Sequence, residues 1–361
     1  MNENFEEAAN TLRRFQLRAE KMVILAMPVM MTAMYACIIA VLWFGGLQII
    51  GGTMDAGALF SFISYVAQIL ISLMMISVAF MTLVVSRASI RRIVEIIDEQ
   101  PDIADNNAED APTVADGSIS FSHVDFSYNK DADNLNLQDI NLEINSGETV
   151  GIIGGTGSAK TTLVQLIPRL YDVLSGSVKV GGHDVREYKL DDLRSNVAMV
   201  LQNNLLFSGT IAENLRWGKE DATDEELITA AKVAQADDFI SAMPDGYQTM
   251  LGQAGVNLSG GQKQRLCIAR ALLKHPKIII LDDSTSAVDT ATDARIRAGF
   301  KNELAGTTTI IIAQRISSVM DADKIVVMEE GKISAVGTHD ELMATNKIYA
   351  EVFRSQQKGV A

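Results

Sequence analysis

The run Gly154-Gly155-Thr156-Gly157-Ser158-Ala159-Lys160-Thr161-Thr162 combines the residue types that hold a polyphosphate. Glycines let the backbone turn tightly, so that successive N–H groups point into one concavity. A lysine at its end reaches the terminal phosphates, and a hydroxyl such as that of Thr161 is a ligand for Mg²⁺. The pattern G-x-x-x-x-G-K-[ST] is met everywhere except at Ala159, where glycine is expected. Further along, Lys277 to Asp282 is an apolar strand ending in a carboxylate. A strand-end aspartate beside a phosphate loop suits the Mg²⁺ coordination shell, which makes Thr161, Asp282 and Gln202 the candidate Mg²⁺ contacts. Asp283 follows at the place of a water-polarising carboxylate, and Gln202 follows the apolar run Val197 to Leu201. Asn257-Leu-Ser-Gly-Gly-Gln-Lys-Gln-Arg265 opens a helical run, a second helix N-terminus suited to phosphate. Two such helix starts are more than one nucleotide needs. The surplus is explained if the second serves a nucleotide held by another copy of the fold.

The elements that must position these residues can be read from the same chain. Glu148 to Ile153 reads as a short buried strand and Thr162 to Ile167 as the start of a helix, which is the strand–turn–helix context a phosphate loop requires. Strands alternate with helical stretches from Ser118 onward, which predicts a largely parallel sheet. The chain has 361 residues and a formal net charge of -14, which argues against nucleic acid as a partner. Cys37 and Cys267 are its two cysteines and imply neither a disulfide framework nor a metal site.

Ahead of this domain lies a different solvent regime. Between Met22 and Ser86 there is no Lys or Arg, and the one acid is Asp55. Residues 22–50 and 56–85 are each long enough to cross a bilayer, which takes roughly 20 apolar residues. Arg13, Arg14, Arg18 and Lys21 precede the first span, and Arg87, Arg91 and Arg92 follow the second. Both flanks are therefore expected on the cytoplasmic side, with the turn at 51–57 outside. Ser61, Ser64, Tyr65, Gln68 and Ser72 share one face of the second span, either as the wall of a path or as helix-packing groups. Residues 1–99 form this membrane part. Residues 100–117, with five acids, two prolines and no base, read as a solvated linker to a globular domain at 118–361.

In this order the motifs resemble those of the ABC exporter family, in its last two membrane helices and nucleotide-binding domain. Tyr128, in Val124-Asp-Phe-Ser-Tyr, is similar to the family's adenine-stacking aromatic. Gly154 to Thr161 resembles Walker A, Gln202 the Q-loop, and Leu258-Ser259-Gly260-Gly261-Gln262 the ABC signature. Ile278 to Asp282 resembles Walker B, and Ser286-Ala287-Val288-Asp289 the D-loop. Gln314 stands where the family has its switch histidine, and Gly337 to Leu342 resembles a common closing motif. The resemblance implies a helical membrane hairpin followed by an α/β P-loop NTPase domain that uses ATP and Mg²⁺. It implies a lipid bilayer, with the nucleotide-binding domain on the cytoplasmic side of the plasma membrane. It also implies head-to-tail pairing, in which each ATP lies between Walker A of one subunit and the signature of the other.

Ala159, Asp283 and Gln314 depart from the family pattern together, and all three face one nucleotide. An intact signature beside altered catalytic positions implies the slow half of a heterodimer, whose partner half-transporter carries the competent Glu and His. A homodimer that tolerates these changes is the plainer alternative. A nucleotide-gated regulatory or scaffold subunit without transport of its own is the other. The family has six spans per half and this sequence supplies two, so the chain is expected to be an exporter subunit or a C-terminal fragment of one.

Overall fold

The computed structural model describes residues 2–106, 108–283, 290–303 and 306–358. They divide into two compact units between Pro101 and Asp102.

The first unit is a pair of helices, α1 (Asn2–Ile50) and α2 (Ala56–Ile97). Asp55 caps α2 by accepting from Gly57 N at 3.1 Å, and Gly52 takes φ 73 to close the turn between them. Close approach of the helices fixes Gly45, where a Cβ would run into the Leu59 side chain. Most of the described apolar side chains face outward: Ile50 is 86% exposed, Phe60 72% and Val85 72%. A helix apolar all round and buried nowhere belongs in lipid. The apolar windows are Pro28–Ile50 and Ala56–Ile97. The expected spans are thus parts of longer helices, whose ends continue into the charged flanks. Helix α1 runs on through Pro28, whose carbonyl accepts from Thr32 Oγ1 within the same helix at 2.8 Å.

The second unit is built on a six-stranded sheet in the order β12-β11-β3-β10-β9-β6, numbered along the chain. Its strands are β3 (Thr149–Gly154), β6 (Val197–Val200), β9 (Ile278–Asp282), β10 (Thr308–Ile312), β11 (Lys324–Glu329) and β12 (Lys332–Gly337). All neighbours pair in parallel except the edge strand β12. A separate antiparallel sheet, β2-β1-β4-β5, consists of β1 (Ile119–Phe126), β2 (Leu137–Ile144), β4 (Ser175–Val180) and β5 (His183–Asp184). A two-stranded ribbon joins β7 (Gly209–Thr210) to β8 (Met250–Leu251). The helices are α3 (Lys160–Gln165), α4 (Leu190–Asn196), α5 (Ile211–Arg216), α6 (Asp224–Val233), α7 (Asp237–Ser241), α8 (Gly260–Leu272), α9 (Thr290–Glu303), α10 (His339–Thr345) and α11 (Lys347–Lys358).

Strand alternation divides the core in two. Ile278 and Ile280 of β9 face a cluster shared with the antiparallel sheet, including Phe121 and Leu142. Ile279 and Leu281 face a second cluster with Leu266 and Ile268 of α8. Near-continuous apolar runs in β9 and β10 follow from burial on both faces.

The acidic stretch departs from the solvated linker expected of it. Val114 is 4% exposed, and its N–H donates to Asp192 Oδ2 at 2.9 Å. Lys277 Nζ donates to the carbonyls of Val114 and Ala115, each at 2.6 Å. Asp105 Oδ1 accepts from Leu190 N at 2.7 Å at the start of α4. The segment is docked because a lysine and a helix start supply partners that its own composition does not reveal.

Candidate nucleotide site

The site forms where parallel strands end. Gly154 closes β3, Gln202 follows β6, Asp282 closes β9 and Gln314 follows β10. Register sets them side by side, since Ile312 lies opposite both Ile152 and Asp282. Ligands of open α/β sheets bind at these carboxyl ends. Here they border a cavity of about 730 Å³. Its wall includes Gly154, Gly155, Thr156, Gly157, Ser158, Lys160 and Thr161, together with Gln202, Asp282, Asp283 and Gln314.

The phosphate loop owes its shape to two glycines. A Cβ on Gly154 would collide with the Met328 carbonyl of β11 and with Ser158 Oγ. Gly157 has φ 83. Ala159 is the residue just before α3, with φ 67 and ψ 24. Ala159 therefore occupies the left-handed region, where an L-residue is strained by roughly 1–2 kcal/mol. Its methyl group packs against the core cluster beneath the loop, which offsets part of that strain.

Lys160 Nζ donates to Gly154 O at 2.9 Å and Gly155 O at 2.8 Å. Burial lowers its pKa, against the charges of Asp282 and Asp283. Thr161 Oγ1 donates to Asp282 Oδ1 at 3.1 Å. Asp282 is 3% exposed, and burial raises its pKa although the Thr161 bond opposes this. A buried carboxylate with a neighbouring hydroxyl is a hard-oxygen pair that fits Mg²⁺, which takes one or two carboxylates plus substrate phosphates. Thr161 and Asp282 would hold the ion, and it would neutralise charge on the phosphates. Among the described residues no three His, Cys, Asp or Glu side chains form a metal site of their own.

Asp283 has a different environment. Gln314 Nε2 donates to its Oδ2 at 2.6 Å, and Gln202 Nε2 donates to the same oxygen at 3.3 Å. Its own N–H is taken by Ile312 O at 3.0 Å, and its φ is 48. Burial raises its pKa and the Gln314 bond lowers it. Gln202, expected to contact Mg²⁺ or water, here points its amide nitrogen at Asp283.

Other expected residues lie elsewhere. Tyr128 is 45% exposed and does not line the cavity. Its hydroxyl shares a hydrogen bond with Thr162 Oγ1 at 3.0 Å and donates to Gln165 Oε1 at 3.2 Å. Edge contacts from Phe126 and Tyr171, at 4.9 and 5.0 Å between ring centroids, hold the ring. Tyr171 escaped the sequence reading; an aromatic closely following the loop's helix was its one signal. Ser259 caps α8, its Oγ accepting from Gln262 N at 3.3 Å while Gln262 Oε1 accepts from Ser259 N at 2.9 Å. Ser259 and Gly260 are exposed, Leu258 is buried beneath them, and neither these nor Gly261 and Gln262 line the cavity. Ser286, Ala287, Val288 and Asp289 lie outside the described residues.

Comparison with known proteins agrees with this geometry. The family described as ABC transporter transmembrane region matches residues 1–85, and the family described as ABC transporter matches residues 137–286. A Bacillus subtilis (strain 168) ATP-binding/permease protein, whose name assigns it provisionally to multidrug export, is 44% identical over 312 residues, covering 86% of this chain and 53% of that protein. An ATP-dependent lipid A-core flippase of Syntrophus aciditrophicus (strain SB) is 36% identical over 358 residues, covering 99% of this chain and 59% of that protein. A bacterial Atm1-family ABC exporter solved with ATP bound superposes with a TM-score of 0.79 at 33% identity, over 84% of this chain and 53% of that one. The chain thus spans a little over half the length of the relatives it matches. The chain is a membrane-spanning helical region followed by a P-loop domain of ABC transporter type, matched in that order, in the fold of the ABC exporter on which it superposes and with its ATP-binding domain on the cytoplasmic side.

Proposed function

We propose that this chain is the slow-hydrolysing subunit of a heterodimeric ABC exporter. The observation that carries the reading is the Asp283 carboxylate, one oxygen of which accepts from two side-chain amides. Asp is one methylene shorter than Glu, and a displacement of about 1 Å can lower a rate roughly 10²-fold. Gln314 donates a hydrogen bond but can neither take up a proton nor carry charge. General-base assistance is worth about 10²–10⁴-fold, and this pair supplies little of it. Lys160, Thr161 and Asp282 are suited to bind Mg-ATP all the same.

The exposed, capped start of α8 supports a role in trans. Ser259 and Gly260 would meet the γ-phosphate of ATP held by a partner half-transporter that carries Glu and His at the positions of Asp283 and Gln314. A helix N-terminus favours negative charge there and leaves no room for a bulky side chain. ATP binding would close the two domains, and closure would bias the membrane helices toward outward opening. The named cargoes of the relatives differ, so export alone carries over from them.

The test is made in the reconstituted pair. Ser259→Arg is expected to abolish most ATPase activity, while Asp283→Asn changes it little. Asp283→Glu combined with Gln314→His is expected to raise turnover at this site. The reverse ranking of the two single variants would overturn the asymmetric assignment.

A further inference from the structure

The last helix, α11, holds the segment that carries Gln314. Gln356 Nε2 donates to Gln314 O at 2.8 Å, and Gln356 Oε1 accepts from Ile316 N at 2.9 Å. One side-chain amide thus clamps both ends of a three-residue segment, satisfying a backbone acceptor and a backbone donor together. From the same segment the Gln314 side chain reaches Asp283 Oδ2 at 2.6 Å. Helix α11 is itself well fixed. Tyr349 is 1% exposed, and its hydroxyl bonds His339 Nδ1 at 2.7 Å. Phe353 packs edge-on against the same imidazole, 4.9 Å between centroids. Tyr349, Phe353 and Gln356 follow one another at four- and three-residue steps, which puts them on one face of the helix. Ile348 and Val352 of α11 line the nucleotide cavity.

We propose that Gln356 is a positioning residue: from the C-terminal helix it sets the place of the Gln314 amide over Asp283, and thereby how strongly the site prefers ATP to ADP. The inference rests on the ATP-site reading above. Gln314 and Asp283 line the same cavity as Lys160, the residue type that reaches the terminal phosphate by which the two nucleotides differ. A merely structural anchor for α11 would affect both nucleotides alike.

The experiment measures Kd for Mg-ATP and Mg-ADP on the full chain in detergent, for the wild type, Gln356→Ala, Gln314→Ala and the double variant. Gln356→Ala is expected to weaken ATP about threefold or more while ADP binding changes little, a discrimination loss in the usual range for coupled neighbours. Gln314→Ala should lose the same preference, and the double variant should lose no more than the worse single one, because both act on one contact. Amide hydrogen exchange at Ile316 should accelerate in Gln356→Ala while the α11 amides around Tyr349 keep their protection. Equal weakening of both nucleotides, an unchanged preference, additive losses in the double variant, or a wild type without preference would each overturn the proposal. A wild type that binds neither nucleotide would instead refute the ATP-site reading and this inference with it.

Discussion

Ala159 holds φ 67 with a methyl group that the usual glycine lacks. Relief of left-handed strain on Ala159→Gly is worth roughly 1–2 kcal/mol. Against it stand the added backbone entropy of glycine, roughly 0.5–1 kcal/mol, and the loss of a partly buried methyl, up to about 0.8 kcal/mol. The terms nearly cancel, so Ala159→Gly is expected to change stability by less than about 1 kcal/mol in denaturant titration. Ala159→Val gains no such relief: a β-branched residue at positive φ is a severe outlier and should destabilise by more than about 2 kcal/mol. Equal effects of the two variants would refute this account of the loop. Asp282 makes the second case at this scale. Burial raises its pKa above the unfolded value, so within that window the folded chain holds more protons than the unfolded one. Stability therefore falls as pH rises from the unfolded pKa through the raised one, and the loss persists at neutral pH. Asp282→Asn cannot titrate and can still accept from Thr161. Without nucleotide it should melt higher than the wild type at pH 7, with the difference shrinking toward pH 4. With Mg-ATP the order should invert. Thermal melts across pH check both signs, and a parallel pH slope in the two proteins would count against them.

At the scale of elements, the docked stretch before β1 gives the clearest expectation. Beginning the ATP-binding domain at Ser118 removes buried Val114, two carbonyl acceptors of Lys277 and the partners of Asp192 and Leu190. Burial of one Val is worth about 1.5 kcal/mol and each of the four hydrogen bonds about 0.5–1.5, so the gross loss is roughly 3.5–7.5 kcal/mol. A domain comprising 102–361 should therefore melt at least about 7 °C above one comprising 118–361, measured by calorimetry. Equal melting temperatures would mean that the docked segment contributes nothing. The composition of 100–117 conceals this because five acids report solvation, while the partners that order the segment lie in α4 and before β9. The strand–turn–helix at 149–165, the strand ending at Asp282 and the helix start at Ser259 were legible for the opposite reason. Each is a contiguous run whose spacing is itself the local geometry, and the alternation of strands and helices fixes where the runs meet. Positions that depend on three strand ends at once were not legible. The two amides on Asp283, the Met328 carbonyl pressed against Gly154, and Tyr171 beside Tyr128 all arise from neighbours far apart in the chain. Gln356 is the extreme case, a polar residue on a terminal helix with no spacing to mark it.

On the scale of the whole molecule, the two units obey different solvents. The second has its own two apolar clusters and a sheet whose central strands are buried on both faces. Among its described side chains the first has little interior: α2 contains no buried residue, and its close approach to α1 includes Gly45. Lipid satisfies the apolar surface of such a hairpin, and helix neighbours supply its packing only after insertion. Order of synthesis then matters. Helices α1 and α2 leave the ribosome and commit to the bilayer before the phosphate loop has been made, and the ATP-binding domain completes its own core without reference to them. Quality control therefore meets two separate checkpoints in one polypeptide. A preparation in which every chain binds nucleotide can still contain unpacked membrane hairpins, so nucleotide titration counts folded domains, and accessibility of the hairpin to a membrane protease counts packed hairpins.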